Sequence, residues 1–155
     1  MMHLCYSLGL RPKEITVITL DDISFKKAEL TIRDRKNNRP MTLPRPDATL
    51  KAVAAYRIAA RPESKHRALF LSLHPPYGPV STNAIGYHVR EAMKTVGLPS
   101  STYWLRHTYA QNLLESGASV FEIKEMLGHE EIESAKKYLH VHTELMRQVL
   151  FNETL

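Results

Sequence analysis

Five residues spread along this 155-residue chain have the side chains needed to bind and attack a phosphodiester: Arg11, Lys36, Arg106, His129 and Tyr138. A phosphoryl-transfer transition state gathers negative charge on the non-bridging oxygens. Two guanidinium groups, always charged and able to donate in pairs, suit two such oxygens. A tyrosine hydroxyl is a competent nucleophile once a nearby cation or base helps remove its proton, because its reference pKa is about 10. A lysine or histidine can protonate the departing 5′ oxygen. Taken singly, each residue has a plainer reading. Arg11 and Arg106 read as surface or ion-pair arginines, Lys36 as a solvated hairpin residue, His129 as a capping residue and Tyr138 as half-buried packing on an amphipathic helix.

For these residues to act together, particular elements must present them. In "LGHEEIESAKKYLHV" (Leu127 to Val141), His129 and Tyr138 stand nine residues apart. On one unbroken helix that is about two and a half turns, which points them to opposite sides. Gly128 supplies the break. "SVFEIKEMLG" reads as a helix opened by a Ser119–Glu122 capping box and closed by Gly128, which leaves His129 in a tight connection and Tyr138 on a separate helix. "TYWLRHTYAQNLLESG" reads as the preceding helix, ending at Gly117 and carrying Arg106.

At the other end, "MMHLCYSLGL" is apolar but lacks a signal peptide's basic region and cleavage site and is far too short to span a membrane, so it reads as a helix inside the fold. In "GLRPKEI", Gly9 can close that helix and Pro12 can begin a new turn, which places Arg11 at the boundary. "ITVITL" is rich in β-branched residues and is expected to be extended. "AELTIRD" alternates Leu30 and Ile32 against Thr31 and Arg33, as a half-buried strand does. Asn37-Asn38 suits a hairpin turn with Lys36 near its tip, and Pro40 belongs on an edge. "DATLKAVAAYRIAA" reads as a helix with Asp47 as N-cap and Leu50, Val53, Ala54 and Ile58 on one side. "ALFLSL" is a short buried segment, "HPPYGP" a loop, and "STNAIGYHVREAMKTVG" a helix closed by Gly97. The expected fold class is α+β, mainly helical, with a small antiparallel sheet.

The chain length suits one domain spanning residues 1–155, with a core that needs no metal or disulfide support. With 43% hydrophobic and 24% charged residues, the composition excludes a disordered or fibrous chain. The single cysteine, Cys5, cannot form an internal disulfide, and a reducing, cytoplasmic setting is the expectation. A net charge of +5 and a pI near 9.4 suit a polyanionic partner. Arg33, Arg35, Lys36, Arg39 and Arg45 crowd one segment, and Arg57, Arg61, Lys65 and Arg67 form a second cluster, each also readable as a solvated basic face.

The segments "GLRPKEI", "YWLRHTYA" and "LGHEEIESAKKYLHV", in that order and with the run "EITVITLDDISFKKAELTI" between the first two, resemble the tyrosine recombinase, or phage integrase, family over nearly the whole chain. The resemblance implies that Arg11 and Arg106 are the two catalytic arginines, Lys36 the hairpin lysine, His129 the downstream histidine and Tyr138 the nucleophile. Arg35 is a weaker claimant for the place of Lys36. The family usually has His, sometimes Lys, three residues before the second arginine, where this chain has Tyr103. A neutral phenol is a poor proton acceptor, although it can still donate to a phosphate oxygen.

The resemblance further implies transesterification without metal or other cofactor, acting on double-stranded DNA through a 3′-phosphotyrosyl intermediate. It also implies a catalytic domain standing without the amino-terminal helical domain that members commonly carry. The tail "HTELMRQVLFNETL", with Leu145 and Val149, and Met146 and Leu150, at helical spacing, is expected either to dock on a neighbouring copy in a tetramer on DNA or to pack on its own domain. No membrane partner is expected.

Two rivals come from other classes. One is a relative that binds DNA without cutting it, favoured by Tyr103. The other takes His129, His140 and His142 as ligands of a metal hydrolase, which is weak because no carboxylate or cysteine stands at a recognisable ligand spacing. A helix-turn-helix in "GASVFEIKEMLGHEEIESAKKY" is poorer still, since its second helix begins without base-reading residues.

Overall fold

A computed structural model of the chain describes residues 1–33, 40–44, 46–98 and 101–128. Two compact units are present, Met1–Tyr109 and Ala110–Leu155, and the boundary between them falls inside a continuous helix.

The first unit opens on α1 (Met2–Leu8), which buries Leu4, Cys5 and Leu8 along one face. Gly9 ends it in the left-handed conformation (φ 60°, ψ 25°), and the backbone N–H groups of Gly9 and Leu10 both donate to the Leu4 carbonyl. A glycine takes that conformation without a Cβ penalty, so the chain can turn sharply where the sequence predicts a stop. Arg11 then runs extended (φ −74°, ψ 148°), and Pro12 opens α2 (Pro12–Thr16) as its first residue.

The β-branched run "ITVITL" is not a strand. Thr16 closes α2 with its hydroxyl on the Lys13 carbonyl, Thr19 makes a single isolated bridge to Ala68, and Leu20–Asp22 is a 3-10 turn. The turn is held by Asp22, whose carboxylate accepts from both the backbone N–H and the hydroxyl of Thr19. These local hydrogen bonds outweigh the β-propensity of the run. Ile15 and Ile18 still reach the core, three residues apart as on a helix.

The sheet has three antiparallel strands in sequence order: β1 (Ile23–Ser24), β2 (Glu29–Ile32) and β3 (Met41–Pro44). Leu30 pairs with Leu43 and Ile32 with Met41. Leu30, Ile32 and Leu43 point into the core, as the alternation predicts. On the other face Thr31 and Thr42 sit opposite each other with their hydroxyls 3.3 Å apart. Pro40 immediately precedes the edge strand β3, where a missing N–H is tolerated. The Asn37-Asn38 turn lies outside the described residues.

Helix α3 (Asp47–Ala55) begins one residue earlier than expected: Pro46 is the N-cap and Asp47 the first helical residue. A π-helical turn, Tyr56–Ala60, follows directly. Thr49, Val53 and Tyr56, spaced four and three apart, share the inner face, where Tyr56 packs against Phe70 (ring centroids 5.0 Å apart), while Ile58, expected on that face, falls on the opposite side and is 86% exposed. Just before Pro62, Arg61 reaches forward along the chain and donates to three backbone carbonyls, those of His66, Ala68 and Leu69. It thereby fixes the segment whose Leu69, Phe70 and Leu71 are buried. Helix α4 (Thr82–Thr95) is capped by the Ser81 hydroxyl, which accepts from the Ala84 N–H, and buries Ile85 and Val89; Gly97 (φ 74°) closes it.

Helix α5 (Thr102–Glu115) crosses the unit boundary. Its Leu105 joins the core of the first unit, together with residues of α1, the sheet, α3 and α4. In the second unit, Gly117 (φ 90°) follows α5 and Ser119 caps α6 (Val120–Leu127). The expected capping box is present: Ser119 accepts from the Glu122 N–H at 3.2 Å, and the Glu122 carboxylate accepts from the Ser119 N–H at 2.7 Å. Leu114, Ile123 and Leu127 are buried, and Gly128 ends α6 in the left-handed conformation (φ 63°, ψ 45°). Among the described residues no helix is long and apolar enough to cross a membrane.

Candidate active site

Arg11 and Arg106 come from opposite ends of the first unit and meet at one carboxylate. Arg106 lies on α5 next to Leu105, and only 8% of it is exposed. Its Nη1 donates to the Gly9 carbonyl across 97 residues of sequence and lies 3.9 Å from Glu14 Oε2. Arg11, at the N-cap of α2, donates from Nη1 to Glu14 Oε1 at 3.1 Å and from its backbone N–H to Glu14 Oε2 at 2.7 Å.

Sequence reasoning missed Glu14. It is buried, and both of its oxygens are used. The signal was present: a carboxylate three residues after an N-cap reaches back to the N-cap N–H. That reading stops at helix capping, and only the tertiary contact with Arg106 shows that the carboxylate serves two arginines. The negative charge they share offsets the repulsion between the two guanidinium groups, whose paired N–H donors suit the oxygens of a phosphodiester. The guanidinium planes are oriented before any ligand arrives, so little reorganisation accompanies binding.

Cys5 is fully buried on α1. Burial pushes its thiol up to about 11, despite opposing contributions from the terminal amine and from Arg106. It is a core residue rather than a nucleophile. Tyr103, one turn before Arg106, is 60% exposed. Its ring lies nearly parallel to that of His107 (10°, centroids 6.1 Å apart), and Trp104 meets the same imidazole edge-on at 6.0 Å. The position where a histidine is usual therefore carries an accessible phenol backed by an imidazole. Lys36, Arg35, His129 and Tyr138 lie outside the described residues, as do the tail and the His140 and His142 of the metal reading.

The basic clusters also resolve in part. Arg61 is committed to three carbonyls, Arg67 forks onto Asp21 through Nε and Nη2, Arg33 donates to Asp22, and the Arg57 guanidinium sits 5.8 Å from the centre of the Phe25 ring. The second cluster is therefore largely an internal bonding set rather than a uniformly free basic face.

The model of the phage integrase family matches residues 1–144. The chain belongs to the phage integrase family. Among curated proteins it is 31% identical over 155 residues to tyrosine recombinase XerC 2 of Ralstonia nicotianae, covering 96% of this chain and 44% of that protein. It is 30% identical over 154 residues to tyrosine recombinase XerD of Corynebacterium glutamicum, covering 96% and 50%. The chain thus spans about half the length of the curated relatives it matches. Its fold is similar to that of the XerA recombinase (TM-score 0.82, 20% identity, 99% of this chain and 56% of that one). It is also similar to the XerH site-specific recombinase bound to palindromic difH substrate in a post-cleavage complex (TM-score 0.79, 15% identity, 96% and 43%).

Proposed function

We propose that this family member carries the strand-cutting and rejoining site of a site-specific DNA recombinase. The observation that carries the reading is the pairing of Arg11 and Arg106 on the buried Glu14, two preset guanidinium groups that suit the oxygens of one phosphodiester. Tyr138 attacks the scissile phosphate: the bond from its phenolic oxygen to phosphorus forms, the bond to the 5′ oxygen breaks, and a 3′-phosphotyrosyl link remains. The phenol gives up its proton to His129, and the leaving 5′ oxygen takes one from Lys36. The freed 5′-hydroxyl later attacks the same phosphorus to restore or exchange strands. Bond energy is kept in the covalent link, so no metal or nucleotide cofactor is required. The partners are duplex DNA and further copies of the chain assembled as a tetramer on it, within the cytoplasm, and the chain itself is the catalytic domain.

Tyr103 favours a second reading, in which the fold binds DNA and cuts slowly or not at all, because the exposed phenol cannot accept a proton as a histidine does. One assay separates the two. A nicked or 3′-bridging-phosphorothiolate duplex carrying the attachment site is incubated with the protein in EDTA and run on a denaturing gel beside Tyr138→Phe. A slower-migrating protein–DNA adduct from the parent and none from the variant is the expected result. Intact binding without any adduct supports the non-cutting reading.

A further inference from the structure

Adjacent aspartates on the 3-10 turn hold two arginines in different ways. Asp21 is exposed and takes Arg67 as a fork, through Nε at 2.9 Å and through Nη2, which uses the edge a guanidinium offers to a phosphate. Asp22 is buried and takes Arg33 through Nε alone, at 2.5 Å, while 69% of the Arg33 side chain remains exposed. A guanidinium has five N–H donors, so one engaged Nε leaves the Nη groups to face solvent. The carboxylate that holds Arg33 is itself fixed by the Thr19 N–H and hydroxyl. The Arg33 side chain has therefore already given up much of the rotamer freedom that a surface arginine loses on binding.

Position gives this arrangement a purpose. Arg33 directly follows the last residue of β2 and precedes Lys36 by three residues, a contour length of at most roughly 11 Å. On the DNA-cutting reading, in which Lys36 works at the cleaved phosphate, Arg33 therefore stands within a few nucleotides of it.

We propose that Arg33 is a preset contact to a DNA backbone phosphate beside the cleaved one, with Asp22 as the positioning residue that aims it. The proposal rests on the DNA-cutting reading above. It assigns Arg33 to register on the duplex rather than to base recognition, since phosphate contacts position a protein without reading sequence. Arg67, closed onto Asp21, has no such role.

The test needs no knowledge of the target site. Binding of the full chain to a fluorescein-labelled mixed-sequence duplex is followed by anisotropy from about 50 to 200 mM salt. Each phosphate contact contributes about 0.9 to the slope of log K against log salt. Arg33→Gln should flatten the slope by about that amount, shrinking the affinity lost across this range by a factor of about 3.5. Arg67→Gln removes the same formal charge and should leave the parent slope in place. Should Arg33→Gln fold poorly because Asp22 is left unpaired, the double variant Asp22→Asn/Arg33→Gln contains no unpaired buried carboxylate and serves the same comparison. A parent slope in the Arg33 variant, or equal flattening by Arg33→Gln and Arg67→Gln, overturns the proposal alone. A parent chain with no salt-dependent duplex binding overturns the DNA reading and this proposal with it.

Discussion

Glu14 is the residue on which the two arginines depend. Its carboxylate touches Arg11 twice and faces Arg106, and it is nearly closed off from water. Replacing it with glutamine keeps the size but removes the charge that Arg11 and Arg106 share. Glu14→Gln is expected to lower stability by about 3 kcal/mol, measured by urea denaturation. It should also slow phosphotyrosyl adduct formation by on the order of 10²-fold, because both phosphate ligands lose their orientation. Glu14→Asp, which keeps the charge on a shorter arm, should recover part of each loss. A variant that melts early but forms adduct at the parent rate would show that the carboxylate supports the fold and not the site. Arg106 depends on backbone as well, since the Gly9 carbonyl that accepts its Nη1 is exposed by the left-handed turn of a glycine.

At the scale of elements, the sequence is most legible where a local signal decides the structure. Gly9 and Pro12 around Arg11, the Ser119–Glu122 box and the left-handed Gly128 are set by caps and need no distant partner. The alternation of Leu30 and Ile32 likewise needs only one buried face. Legibility fails where a distant or competing contact wins. "ITVITL" gives way to the Thr19–Asp22 turn, Ile58 lies opposite the face that Thr49 and Val53 bury, and Glu14 reads as a cap until Arg106 arrives from another helix. Those caps and alternations bring Arg11 and Arg106 to the right element ends, but only the tertiary fold shows how the two are joined.

The 3-10 turn also predicts a pH dependence. Burial pushes the Asp22 carboxyl up, but the hydrogen bonds from Arg33 and Thr19 together outweigh it and hold its pKa below the ordinary aspartate value of 3.8. A carboxylate with a depressed folded pKa contributes stability above its unfolded pKa and loses it as pH falls through the folded value. The parent chain should therefore lose stability below about pH 4 more steeply than Asp22→Asn, in thermal melts at matched ionic strength. Parallel curves would mean that the turn is held by packing and not by the carboxylate.

At the scale of the whole molecule, α1 joins the interior to the candidate site. One face of it carries Leu4, Cys5 and Leu8 into the core, and its last turn delivers Gly9 and Arg11. Burial pushes the Cys5 thiol up to about 11, so in the folded chain it is almost wholly protonated at pH 8 as well as closed off from reagent. Alkylation of Cys5 at neutral pH should therefore be slow, and should quicken across the same urea range in which fluorescence reports unfolding. Fast labelling in native buffer would reveal that α1 opens on its own.

This gives the single cysteine a use unrelated to catalysis. Because its labelling requires the opening of the helix that holds Gly9 and Arg11 in place, the labelling rate is a clock for the assembled state of the arginine pair. A duplex that binds only the assembled state should slow that clock by a factor of one plus the ratio of free duplex to its Kd. Occupancy could then be read from a thiol that never touches DNA.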